Sequence, residues 1–343
     1  MIDLRSDTVT LPTKEMLQTI LESPLGDSGR WDASRKGEDP TVNEAEKLAA
    51  SLVGKEDAAL CVSGTMGNLS SLLTFCSPGD VALIDKQQHL YRKEKGAFNP
   101  RFGRLSAIFY DADENGLPVV KDIEKKLKEN LISLVCIENT NNNRGGICIP
   151  AERMKEIYET AHSCHVPVYM DGARLFNAAI ALHVPAVELA QYTDALMFCV
   201  SKGLGAPIGS FVCGSKEFIY KLKDVVKTLG GSMRQAGVIA APAIYAMKNN
   251  ISSLKVDHDH AKRFTTALTN LKHIHIAKVQ TTIVMLSSDC MDSTELVQAF
   301  AGEGVKAGAA DETRVRLVFN RNISDKDVAF VINALLAVDA KLS

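Results

Sequence analysis

The chain has 343 residues, of which 46% are apolar and 23% charged, the composition of an ordinary globular protein rather than a disordered or collagenous one. Thirty-nine Lys and Arg face 41 Asp and Glu, a net charge of −2, which offers no basic excess for nucleic acid or an anionic membrane surface. No apolar run approaches the roughly 18 residues that span a bilayer, and the opening Met1-Ile2-Asp3-Leu4-Arg5-Ser6-Asp7 lacks the basic-then-apolar pattern of a secretory signal, so a cytoplasmic protein is expected.

In chain order, Pro40 and Thr41 suit a helix start, and Val42, Ala45, Leu48, Ala49 and Leu52 follow at helical spacing, predicting an amphipathic helix over Thr41–Val53. Short apolar runs then recur at Ala58–Val62, Val81–Ile84, Leu131–Ile137, Val166–Met170, Ala195–Val200 and Phe211–Cys213, with a predicted helix Ala151–Ser163 between two of them. Buried strands alternating with helices indicate an α/β domain around a mostly parallel sheet. Beyond about residue 250 the texture shifts to a helix Ser252–Leu271, strands Thr281–Leu286 and Val315–Phe319, and a final helix Asp325–Leu336. The expected division is therefore a large domain over 1–250 and a smaller α+β domain over 251–343.

The eight cysteines are scattered, mostly inside apolar runs, and read as buried thiols rather than a disulfide framework. No Cys-x-x-Cys pair occurs, and His162, Cys164 and His165 lack a partner pair, so no metal site is expected. His258 and His260, flanked by Asp257 and Asp259, predict a solvated helix face.

In open α/β sheets the ligand sits beyond the carboxyl ends of the strands, so the polar residues after each apolar run are the first candidates. Val62 is followed by Ser63-Gly64-Thr65-Met66-Gly67-Asn68 and a helix, whose free N–H groups suit a phosphate as well as a plain turn and cap. Met170 is followed by Asp171-Gly172-Ala173-Arg174, where the acid suits either a helix cap or a protonated ring nitrogen. Val200 is followed by Ser201-Lys202-Gly203-Leu204-Gly205, where the lysine either snorkels to the surface or serves Schiff-base chemistry. A phosphate cradle, an Asp at one strand end and a Lys at another are together the parts that a pyridoxal phosphate site requires.

Longer motifs extend this pattern. Asp3-Leu4-Arg5-Ser6-Asp7-Thr8-Val9-Thr10, Gly37-Glu38-Asp39-Pro40-Thr41-Val42-Asn43, Glu138-Asn139-Thr140, Asp171-Gly172-Ala173-Arg174-Leu175-Phe176-Asn177-Ala178, Ser201-Lys202-Gly203-Leu204-Gly205-Ala206-Pro207-Ile208-Gly209-Ser210 and Gly230-Gly231-Ser232-Met233-Arg234-Gln235 together resemble the low-specificity L-threonine aldolases, members of the aspartate-aminotransferase fold, or fold type I. The resemblance covers the large domain from end to end. It implies a pyridoxal 5'-phosphate enzyme that cleaves L-threonine or L-allo-threonine to glycine and acetaldehyde. It also implies a homo-oligomer, with a tetramer of paired dimers as the family's pattern. The alternative within the same scaffold is β-elimination or aldol cleavage of a different 3-hydroxy or 3-substituted amino acid.

Position by position, the resemblance makes Lys202 the Schiff-base lysine, Asp171 the partner of the pyridine nitrogen and His89 the residue stacked on the cofactor ring. Gly64, Thr65 and Ser201 match phosphate-contacting positions, with Lys227 and Arg234 reaching that phosphate from a neighbouring subunit. Ser6, Arg174 and Arg316 match positions that hold the substrate carboxylate. Two departures stand out: Asn141 occupies a substrate-side position where the family commonly has His, and the stretch Gly26 to Pro40 is longer than usual and carries the chain's single Trp, Trp31. With no histidine at 141, the β-hydroxyl proton is expected to leave through His89 or a water near it.

Overall fold

The computed structural model describes residues 1–342. Thirteen strands follow in chain order: β1 (Ile2–Asp3), β2 (Asp57–Cys61), β3 (Val81–Ile84), β4 (Ser106–Phe109), β5 (Leu134–Glu138), β6 (Val168–Asp171), β7 (Ala195–Cys199), β8 (Ser210–Gly214), β9 (Ile274–Ile276), β10 (Ile283–Ser288), β11 (Val305–Lys306), β12 (Gly308–Ala309) and β13 (Arg314–Val318). Seven of them form the main sheet in the order β2-β8-β7-β6-β5-β3-β4. All are parallel except β8, which runs antiparallel to both β2 and β7.

Both faces of this sheet are covered, which is why its strands read as unbroken apolar runs. Along β6, Val168 and Met170 point into one core and Tyr169 into the other. Along β7, Leu196 and Phe198 join the first and Met197 and Cys199 the second. Six cysteines are buried in this way, while Cys164 is half-buried and Cys290 exposed.

The helix Pro40–Val53 begins where the Asp39 carboxylate accepts from the N–H groups of Thr41 and Val42, and it ends at Gly54 with φ +66°. The helix Gly64–Phe75 opens directly after β2, with the Ser63 hydroxyl capping Met66 N–H. The predicted elements recur within a few residues, and others join them, among them the helices Lys14–Glu22 and Lys216–Thr228 and the strand β4. The strand β4 is a short edge strand paired only to β3, and its sequence Ser-Ala-Ile-Phe is too brief to show a period.

The C-terminal part carries an antiparallel sheet in the order β12-β13-β10-β9 over its own core, which includes Phe264, Leu286, Phe300, Val315, Leu317 and Leu335. Leu4 belongs to that core as well, and β1 pairs in parallel with β11. The N-terminal strand thus reaches across to the C-terminal layer.

Two expectations are corrected here. The helix expected over Ser252–Leu271 spans only Leu254–Thr266, because the Asp339 carboxylate accepts from the N–H groups of Lys272, His273 and Ile274 and draws the chain out into β9. The solvated face expected around His258 and His260 is largely covered. Asp257 and His260 are buried, and His258 accepts at Nε2 from the Asn177 amide at 3.2 Å. This helix packs against both Leu175–Leu182 and Asp325–Lys341, so two of its faces meet protein.

Candidate active site

Five strand ends of the main sheet, joined by the segment around Ser6 and by Arg316 of β13, enclose a cavity of about 340 Å³. Each arrives for a local reason. β2 ends at the Ser63 cap, which brings Gly64 and Thr65 to the first turn of a helix. β3 runs on to His89, and β5 and β6 end in register on Glu138 and Asp171. Beyond β7, Ser201 and Lys202 enter a turn closed by a bond from Gly205 N–H to the Lys202 carbonyl at 2.8 Å. Gly205 takes φ +79° there, and a Cβ would lie 3.1 Å from the Arg321 guanidinium. Glycine is the residue such a turn tolerates without strain.

Ser6, Gly64, Thr65, His89, Asp171, Arg174, Ser201, Lys202 and Arg316, all singled out from sequence, line this one cavity. Asn141 does not. Its Oδ1 accepts from Arg144 N–H at 3.1 Å and its amide donates to Asp85 at 3.3 Å, so it caps a short turn instead of facing the cavity. The neighbouring Asn142 faces the cavity, and its Oδ1 accepts from Arg174 Nη1 at 3.1 Å and Arg316 Nη1 at 2.8 Å. Lys227 and Arg234 are exposed and lie outside the cavity. Lys227 Nζ sits 5.3 Å from the centre of the Trp31 ring, and Arg234 pairs with Asp27 at 3.3 Å, so both belong to the patch formed by the long loop.

Four further residues at this site carry no sequence assignment. Asp7 is buried and grips Arg174 through two bonds of 2.7 Å. Glu138 accepts from the N–H groups of His89 and Asn142, both at 2.8 Å, so one carboxyl holds two loops. Glu94 accepts at Oε1 from His89 Nδ1 at 3.0 Å and from the Asn68 amide at 3.0 Å. Asn68 donates also to Asp171 Oδ2 at 3.0 Å and accepts from the Tyr169 hydroxyl at 2.8 Å. Glu138 closes β5 within a quoted motif, and its place at a strand end was the available signal. Glu94 closes the short helical turn Leu90–Glu94 and Asn68 lies inside the helix Gly64–Phe75, places where a polar residue is ordinarily solvated, so no local pattern gave either a role.

The electrostatics divide the cavity. On one side, burial pushes the Asp171 carboxyl upward and the nearby Glu94 adds to it, against the pull of Lys202 and His89. Burial and the neighbouring Asp171 push Glu138 up to about 8. On the other side, burial and the adjacent Arg174 charge push Arg316 down to about 10. Asp171 and Glu138 thus both feel Lys202, with Glu94 close to Asp171, while two guanidiniums share a single neutral amide oxygen. Arrays of this kind mark places where a cation and an anion, respectively, are wanted.

His89, Glu94 and Asp171 also bring one ligand atom each within 4.8 Å of one another. Hydrogen bonds through Asn68 and His89 already account for both acids. A larger cleft of about 870 Å³ between Phe176–Ala186 and the helix Leu254–Thr266 has a mostly apolar lining and contains none of the groups above.

A doubly covered α/β sheet with a lysine, an acid and an arginine at its carboxyl edge, faced by a second arginine from β13, has the architecture of fold type I, and its family is one of lyases. The chain matches the β-eliminating lyase family over residues 3–290, and it belongs to that family. It is 34% identical to low-specificity L-threonine aldolase 1 of Arabidopsis thaliana over 345 residues, covering 97% of this chain and 94% of the relative. It is 38% identical to the low specificity L-threonine aldolase of Escherichia coli K12 over 266 residues, covering 76% and 77% of the two chains. Among solved structures, threonine aldolase of Leishmania major superposes with a TM-score of 0.81 at 18% identity, over 98% of this chain and all of that one. No helix among the described residues is long and apolar enough to cross a membrane.

Proposed function

We propose that this chain is a pyridoxal 5'-phosphate-dependent aldolase that cleaves L-threonine or L-allo-threonine into glycine and acetaldehyde. The observation that carries the reading is the meeting of Lys202, Asp171 and the Arg174–Arg316 pair in one cavity. The names of the curated relatives supply the substrate class.

The residues present fit the cofactor by the chemistry of their donors. Asp171, raised by burial and by Glu94, is an acid in want of a cation, which a protonated ring nitrogen supplies. Gly64 and Thr65 offer N–H groups at a helix start for a phosphate, Ser201 adds a hydroxyl, and Lys202 is the amine for the covalent attachment. When bound, the cofactor supplies an electron sink for the pair released from a bond to Cα.

The protein does the rest. Arg174 and Arg316 hold the substrate carboxylate, displacing the Asn142 oxygen they now share, and Ser6 adds a hydroxyl. A guanidinium grips a carboxylate in a fixed plane, so the pair sets which Cα bond stands ready to break. His89 takes the β-hydroxyl proton at Nε2 as the Cα–Cβ bond breaks and acetaldehyde leaves. A proton returned to Cα completes glycine.

The active unit in this reading is a homotetramer of paired dimers, with Lys227 and Arg234 serving the phosphate of a neighbouring subunit. Their exposure on the Trp31 patch, outside their own cavity, supports that role. Eight free thiols suit the reducing cytoplasm. The reading divides the chain at residue 250 into a cofactor-binding body and a smaller part over 251–343, with residues 2–4 reaching across.

The test is a product assay on a panel of 3-hydroxy amino acids. Glycine with acetaldehyde from either threonine isomer is expected, and it should vanish in Lys202→Ala without loss of fold. Ammonia with a 2-oxo acid as the main products would replace aldol cleavage by elimination.

A further inference from the structure

The helical turn Leu90–Glu94 begins directly after His89 and returns the Glu94 carboxylate to the histidine ring. The main chain of His89 is pinned by Glu138, so the ring's remaining freedom is rotation and the choice of which nitrogen carries the proton. Glu94 removes both. Its Oε1 lies 3.0 Å from Nδ1, and a carboxylate only accepts, which puts the hydrogen on Nδ1. No hydrogen bond reaches Nε2 among the described residues, and the ring lines the cavity.

Glu94 is itself held. Its side chain is only 8% exposed, and Oε1 receives a second bond from Asn68, which is fully buried. The Asn68 amide can point only one way. Its two hydrogens face the acceptors Glu94 and Asp171, and its oxygen faces the Tyr169 hydroxyl. A rigid chain therefore runs from Tyr169 through Asn68 and Glu94 to His89.

We propose that Glu94 is a positioning residue that holds His89 in the Nδ1-protonated tautomer, so that Nε2 meets the cavity as a proton acceptor. The consequence for catalysis rests on the proposed aldol cleavage, whereas the tautomer is a property of the protein alone. A histidine without such a partner favours the Nε2–H form, which donates at the cavity and cannot take a hydroxyl proton.

The test is solid-state NMR of the holoenzyme labelled with 15N-histidine, with His89→Gln used to assign the resonance. The wild type is expected to show a protonated Nδ1 and a bare Nε2. Both bonds to Glu94 fall on Oε1, so Glu94→Gln should preserve them, keep the tautomer and stay within about threefold of native kcat. Glu94→Ala should pass mainly to the Nε2–H form. Because general-base assistance contributes about 10²–10⁴-fold, its kcat for L-allo-threonine should fall at least tenfold, with KM nearly unchanged. An unchanged tautomer in Glu94→Ala would overturn the proposal, as would a changed tautomer without loss of kcat. A wild type that cleaves no threonine yet shows the Glu94-dependent tautomer would overturn the proposed function and leave the Nδ1 assignment standing.

Discussion

Asp7 and Arg174, 167 residues apart in the chain, meet through two bonds of 2.7 Å with both side chains almost wholly buried. Burial alone would raise the Asp7 carboxyl, but the Arg174 charge and its bonds outweigh that and hold it below the ordinary range. The N-terminal segment, tied to the C-terminal layer by β1, thereby fixes the arginine proposed to hold the substrate carboxylate. Asp7→Ala leaves a buried guanidinium without its counter-charge, a change that typically costs about 3–5 kcal/mol. Urea unfolding should register that loss. Asp7→Asn, which keeps one acceptor, should lose less stability but raise KM for the amino acid by about tenfold, the equivalent of ~1.4 kcal/mol of binding. Native KM in Asp7→Asn would show that Arg174 needs no help to hold its plane.

Asn142 supplies the neutral oxygen shared by Arg174 and Arg316. Asn142→Asp places a permanent anion between the two guanidiniums, where it competes with the substrate carboxylate. KM should rise at least tenfold, again about 1.4 kcal/mol or more, while thermal stability rises or holds. Steady-state kinetics beside a melting curve checks both halves, and an unchanged KM would remove the arginine pair from substrate binding.

Glu138 sits at about 8 in the fold because it is buried beside Asp171. A carboxyl raised in the native state keeps its proton longer there than in the unfolded chain, so unfolding releases protons and stability falls as pH rises. For Glu138 that loss runs from its ordinary value of 4.5 up to about 8. Asp257, buried and raised to about 7, adds in the same direction. Urea midpoints of cofactor-free protein between pH 5 and pH 8 should therefore decline. Glu138→Gln should flatten the decline while keeping one acceptor for the N–H groups of His89 and Asn142. An unchanged pH slope in that variant would mean that Glu138 ionises freely.

The proposed sharing of sites between subunits has a direct readout. Lys202→Ala protomers, inactive alone, and Arg234→Ala protomers, weakened alone, should regain activity when mixed and reassembled, because some hybrid sites then hold both native residues. At random pairing about a quarter of the sites qualify, and the fully closed symmetry of ordinary homo-oligomers allows such exchange. No recovery after verified subunit exchange would confine Arg234 to its own chain.

Much of this site was legible in the sequence because open α/β sheets present their ligands at strand ends, and strand ends can be read. Asp171 and Ser201 follow an apolar run directly and Gly64 and Lys202 come one residue later, so locating the run located the residue. The parallel core was legible for the same reason: strands buried on both faces leave continuous apolar stretches such as Ala195–Val200. Only the tertiary structure decided which polar residues would be withdrawn from solvent. Glu94 lies 77 residues before Asp171, and Asn68 reaches both, contacts that no local pattern encodes. Adjacent amides likewise parted company: Asn141 is spent on Asp85 and Arg144, while Asn142 turns to the arginines. A sequence specifies side-chain chemistry and local backbone preference, but a long-range hydrogen bond forms only where packing has brought its donor and acceptor together and excluded water.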